Sequence, residues 1–165
     1  MFYEIKNKIG KGQMSNQEVV KRSCGTCTKC CEGHLASVIN GKPIYPGNPC
    51  AILQIGKGCG DYENRPVQPC RTFECEWLVN PAVPEILKPE HSGVIITWQK
   101  INDMRFLKMT KAPNEPNTDS TTWFIKYLLM NSINGAWDSD TKKYWVGSPE
   151  FMQMMNTEYL SDDQK

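Results

Sequence analysis

Aliphatic side chains are scarce in this chain of 165 residues. Leu, Ile, Val and Phe together supply 33 of them, one fifth of the total, the level at which a strongly charged sequence reads as disordered. Strong charge is the second thing missing, since 19 basic residues face 18 acidic ones for a formal charge of +1. That balance, with 10% of residues aromatic, argues against wholesale disorder. It also gives no broad field to steer nucleic acid or an acidic membrane surface, so neither is an expected partner. Long apolar runs are lacking too. The stretch Trp123 to Met130 is broken by Lys126 and falls well short of the roughly 18–20 residues that cross a bilayer. The opening Met1-Phe2-Tyr3-Glu4-Ile5-Lys6-Asn7-Lys8 has no apolar stretch of the kind that marks an export signal. A Gly-rich nucleotide loop cannot be placed. The expectation is a cytoplasmic protein in a reducing compartment, folded as one domain over residues 1–165.

What the chain does have is cysteine. All eight lie between Cys24 and Cys75, and the last ninety residues contain none. In a reducing compartment eight thiols point to metal rather than to a disulfide framework. Gly33, Gly41, Pro43, Pro46, Gly47, Pro49, Gly56, Gly58 and Gly60 crowd the region between the cysteines. This density of breakers predicts loops and turns, with a helical turn at residues 50–55 as the exception. Ser15 and Glu18 fit a capping box for a short helix over 15–20.

After Trp77 the pattern changes. Pro81, Pro84 and Pro89 mark a connector. Val94-Ile95-Ile96-Thr97-Trp98 and residues 104–109 read as two strands, with Asn102-Asp103 as the turn of a hairpin. Residues 112–117 form a Pro/Asn loop. Asp119 or Ser120 then caps a helix over 121–131, with Trp123, Phe124, Tyr127, Leu128 and Met130 at helical spacing as core residues. Gly135-Ala136-Trp137 stops it. Residues 143–146 read as a short strand, and Ser148-Pro149-Glu150 opens a last helix carrying Phe151, Met154 and Met155. The expected class is α+β. A small irregular metal-stapled half, with its cysteine-rich segment at 23–77, packs on a hairpin and one or two helices at 78–165.

Cys24, Cys27 and Cys30 repeat a two-residue spacing, and Cys31 follows directly. Such a spacing lets a tight turn aim two sulfurs at one ion, and its repetition occurs in the run that ligates [4Fe–4S] clusters. Cys30 and Cys31, being adjacent, point apart and serve different sites or different irons. Cys50, Cys59, Cys70 and Cys75 complete the set, enough for two four-coordinate centres or for one cluster and a zinc. Lys21, Arg22, Lys29, Arg65 and Arg71 flank the thiols and offset thiolate charge. His34 reads as a surface-loop residue rather than a ligand, and His91 as structural. Asp119, Asp138 and Asp140 lack the spacing of an acid pair or a cation site.

The string Cys24-x2-Cys27-x2-Cys30-Cys31 resembles the signature of the CxxCxxCC zinc- or iron-chelating cysteine-cluster family. So do Cys50-x2-Leu53, Cys59-x2-Tyr62-x2-Arg65-Pro66 and Cys70-Arg71-x-Phe73-x-Cys75-x-Trp77. The likeness covers residues 23–77 and departs from the pattern at Val67-Gln68-Pro69, which lengthens the gap before Cys70. It implies metal chelation, and the related flagellin lysine methylases carry an iron–sulfur cluster; this chain lacks their length. The expected function is therefore ligation of one or two iron–sulfur or zinc centres through Cys24, Cys27, Cys30, Cys31, Cys50, Cys59, Cys70 and Cys75, with iron–sulfur placed ahead of zinc. Two alternatives stand beside it. One is a structural or interaction protein in a larger assembly, with a protein partner and the metal as a staple. The other is a cluster-dependent redox or protein-modifying enzyme, for which no catalytic residue is named. Metal binding in so lean a segment is itself folding free energy.

Overall fold

Short hairpins and tight turns build the cysteine-rich half, as its breakers require. The computed structural model describes residues 22–111, 118–139 and 142–160; the expected helix at 15–20 and the loop at 112–117 lie outside them. A wide helical turn at Cys30–His34 leads to an antiparallel pair, β1 (Ser37–Ile39) and β2 (Lys42–Ile44), with Ser37 opposite Ile44. A second, shorter pair joins β3 (Leu53–Gln54) to β4 (Gly58–Cys59). Residues 50–55 are thus not helical. The Leu53 N–H reaches the Cys50 carbonyl oxygen at 3.0 Å in a single turn, and Gly56 and Gly58, both at positive φ, fold the chain back on itself instead.

A kinked turn at Val67–Arg71 follows. The proline-marked connector then holds α1 (Glu76–Val79), a 3-10 turn at Glu85–Leu87 and α2 (Pro89–Ser92). Gly93, at φ 65°, closes α2 in the left-handed region, which glycine adopts without steric cost.

The hairpin expected from the sequence is present and longer than expected. β5 (Val94–Ile101) pairs antiparallel with β6 (Met104–Lys111), Val94 opposite Lys111 and Ile101 opposite Met104. Asn102 and Asp103, at φ 47° and 66°, supply the two left-handed residues that a tight hairpin needs. The helix α3 (Thr118–Asn131) crosses over to β7 (Gly135–Ser139), which runs parallel to β6. β8 (Lys142–Val146) turns back antiparallel, and α4 (Pro149–Leu160) ends the described chain. The sheet order is β5-β6-β7-β8. β7 corrects the reading of Gly135-Ala136-Trp137 as a mere helix stop.

Adjacent strand residues face opposite sides of a sheet, and β6 uses both. Leu107 and Met109 join Phe124 and Leu128 of α3 in the larger core, together with Trp77, Val83, Leu87 and Val94. Phe106 packs with Ala136 of β7 and with Phe151 and Met155 of α4. Helices therefore cover both faces, and Val94, Ile95 and Ile96 are all buried, as in a strand with no solvent side. The cysteine-rich half is part of this core: Cys75 lies in the larger cluster, with Cys30, Leu35 and Phe73 packed against it. The fold is α+β. Among the described residues no helix is long and apolar enough to cross a membrane.

Candidate metal centre

The first cysteine loop is held down at both of its sides. Arg22 donates to the carbonyl oxygens of Trp77, Asn80 and Val83 at 2.6, 3.1 and 2.9 Å, with its guanidinium 5.1 Å from the Trp77 ring centroid. Thr26 donates to the Glu90 carboxylate at 2.9 Å, and Lys88 forms an ion pair with the same side chain. Between these anchors the Cys27 N–H reaches the Cys24 carbonyl oxygen at 3.0 Å, a tight turn with Gly25 at φ 56°. The backbone N–H groups of Lys29 and Glu90 are directed at the Cys27 sulfur. The Leu78 N–H donates to the Cys75 carbonyl oxygen at 2.9 Å, and the amides of Leu78 and Trp77 favour the thiolate of Cys75, the residue that caps α1. Amide donors of this kind favour a thiolate.

The remaining cysteines come together through backbone contacts. The Cys50 N–H donates to the Cys31 carbonyl oxygen at 2.8 Å. The register of β3 and β4 sets Cys59 opposite Leu53. Cys70 sits in the kinked turn, which Arg71 ties to the preceding loop by donating to the carbonyl oxygens of Glu63 at 2.6 Å and Arg65 at 2.9 Å. Gly33, at φ 92°, abuts the Tyr45 carbonyl so closely that a Cβ there would collide with it. This contact sets the wide turn carrying Cys30 and Cys31 against the loop that leads to Cys50.

Burial and mutual proximity govern the thiols. Burial pushes Cys30 far up, and Cys75, Cys27, Cys31 and Cys24 add to it in that order. Cys31 is pushed up to about 11, first by burial and then by Cys50, Cys59, Cys70 and Cys27. Cys70 rises by burial and by Cys50 and Cys59, against the Arg65 cation. Cys75 rises by burial, with Cys24 and Cys27 contributing. All eight side chains are free thiols. As they stand, no three Cys, His, Asp or Glu residues among those described form a group that could hold a metal ion.

The expected charge offset is only partly as the sequence suggests. Arg65 acts on Cys70 while donating to the Tyr62 carbonyl oxygen at 2.6 Å; Arg22 and Arg71 also donate to carbonyl oxygens, and Lys29 pairs with Glu32 at 3.2 Å. Lys21 lies outside the described residues. Lys88, which spacing does not single out, has Cys27 as an electrostatic neighbour. His34 is not on the surface: its side chain is 8% exposed and stands 3.8 Å from Glu32. His91 is exposed beside Glu90. Asp138 faces Lys108 at 3.8 Å, Asp119 is exposed, and Asp140 lies outside the described residues.

A cavity of about 370 Å³ opens beside Cys50, lined mainly by Ile39, Ile44, Pro49 and Ile52 with Lys42 and Asn48. Tyr62, Arg65, His34 and His91 do not line it. Comparison with protein-family models, with curated proteins and with solved structures gives no match.

Proposed function

We propose that this protein binds metal through its eight cysteines, as iron–sulfur or zinc centres. The observation that carries the reading is that the fold brings together cysteines far apart in the chain: the Cys50 N–H donates to the Cys31 carbonyl oxygen at 2.8 Å, and Cys30 packs against the core cluster that contains Cys75. The donor set fits a thiolate-seeking metal, and nearby backbone amides favour the thiolates of Cys27 and Cys75. The Trp77 indole N–H, two residues after Cys75, is buried without an acceptor among the described residues. Because no preformed group is in place among the described residues, coordination requires the sulfurs to close in. The repeated spacing of Cys24, Cys27 and Cys30 puts iron–sulfur ahead of zinc.

Anaerobic purification tests this reading. Brown colour with acid-labile sulfide is the expected result, and colourless protein with bound zinc would retain metal binding while removing iron–sulfur. Metal-free protein with its cysteines oxidised in the native state would end it.

A staple role is the second reading, favoured by the entry of Cys75, with Cys30 packed beside it, into the larger hydrophobic core. On this reading the metal holds the lean half together, and the β5-β6-β7-β8 half meets a protein partner.

A further inference from the structure

The geometry points to two separate four-sulfur centres, one formed by Cys24, Cys27, Cys30 and Cys75 and the other by Cys31, Cys50, Cys59 and Cys70, each holding one thiolate-seeking metal centre. This rests on the proposed metal binding and deepens it by dividing the ligands.

The backbone separates the two sets. Cys24 and Cys27 share one turn. That turn is fastened to α2 by the hydrogen bond from Thr26 to Glu90, and the loop's start is fastened to the Trp77 carbonyl by Arg22. Cys75 lies two residues before Trp77, at the head of α1, and Cys30 packs against the core cluster that contains Cys75. The first four cysteines therefore lie where the 22–30 loop meets α1 and α2.

The second set is built on different elements. The Cys31 carbonyl oxygen accepts the Cys50 N–H, and the Cys50 carbonyl oxygen accepts the Leu53 N–H. Leu53 lies opposite Cys59 in the β3–β4 pair. Cys70 is carried by the turn that Arg71 ties to the loop leaving β4. None of these contacts involves α1 or α2.

The boundary falls between Cys30 and Cys31, which sit in one wide helical turn. Neighbours one apart on a helical turn do not face the same way, so the two sulfurs are directed to different sides. The electrostatic neighbours divide in the same manner. Cys31 feels Cys50, Cys59 and Cys70 before any cysteine of the other set, and Cys70 feels Cys50 and Cys59. Cys75 feels Cys24 and Cys27, and Cys30 feels Cys75 and Cys27 before Cys31. Contacts between the sets run through Cys31, the residue at the boundary. Four sulfurs complete a tetrahedral zinc site or hold one cluster, so the division leaves no sulfur over.

The test uses the whole chain purified anaerobically, with substoichiometric EDTA followed by a pulse of alkylating agent and mass spectrometry of the modified cysteines. The expected result is protection lost in two groups of four, Cys24/27/30/75 together and Cys31/50/59/70 together. Mixed groups, or all eight exposed as one, would overturn the division. Cys24→Ser and Cys59→Ser provide the second arm. Each is expected to lose about half of the bound metal, the pair Cys24→Ser/Cys27→Ser the same half, and the pair Cys24→Ser/Cys59→Ser nearly all. Complete loss from Cys24→Ser alone, or half retained by the last pair, would contradict it. Acid-labile sulfide measured in parallel identifies each half as cluster or zinc. Metal-free wild-type protein would remove metal binding and the division together, whereas metal bound without the two groups would remove the division alone.

Discussion

Arg22 does its work with hydrogen bonds. Its guanidinium reaches three carbonyl oxygens that end α1 and open the connector, and it lies over the Trp77 ring. Charged donors to backbone carbonyls are each worth more than neutral ones, and a planar fork satisfies several acceptors that an ammonium cannot. Arg22→Ala should lower stability by about 2 kcal/mol, read from the urea midpoint, and Arg22→Lys should recover little of it. Full recovery by lysine would show that charge alone matters there. Cys31 carries a different consequence. Burial and its three neighbouring thiols push it up to about 11, so at neutral pH it holds its proton, and a metal must displace that proton to bind. Binding therefore releases protons, and apparent zinc affinity should rise as pH increases from 6 to 8. Competition against a chromophoric chelator measures it, and an affinity flat over that range would contradict thiol ligation.

Leu128 and Gly135 are where α3 meets the sheet. A Cβ at Gly135 would run into the Leu128 side chain, which is 1% exposed and has nowhere to go. Gly135→Ala should cost about 1–3 kcal/mol by overpacking. Combining it with Leu128→Ala should cost less than the sum of the two single changes, because the smaller side chain makes room. Strict additivity in chemical denaturation would place the strain elsewhere. This contact also explains what the sequence conceals about its elements. The β5–β6 hairpin is legible because a β-branched run precedes an Asn-Asp turn and an alternating run follows it, and α3 because its aromatics recur at helical spacing. β7 is hidden, since a glycine directly after a helix reads as a stop; here it is a strand residue kept small by Leu128. β1 to β4 are two or three residues long, too short to show alternation among so many glycines and prolines.

For the whole molecule, the scarcity of aliphatic side chains is uneven in effect. Both buried clusters centre on the β5-β6-β7-β8 sheet and its helices, and the cysteine-rich half enters the larger one mainly through Cys75, Trp77 and the side chains packed beside them. Spacing marks the eight cysteines as candidate ligands one by one, whereas the proposed division between centres has no signature in it. That depends on which turns meet α1 and α2 and which meet the β3–β4 pair, and these are contacts between residues far apart in the chain. Lys88 and the amides near Cys27 and Cys75 were hidden for the same reason. Metal-edge X-ray absorption on the natively purified whole chain tests the central claim most directly. The expected spectrum is a first shell of sulfur, about four atoms per metal at about 2.3 Å for zinc, with iron–iron scattering beyond it for a cluster. A shell of nitrogen and oxygen alone, or no metal edge at all, would contradict it.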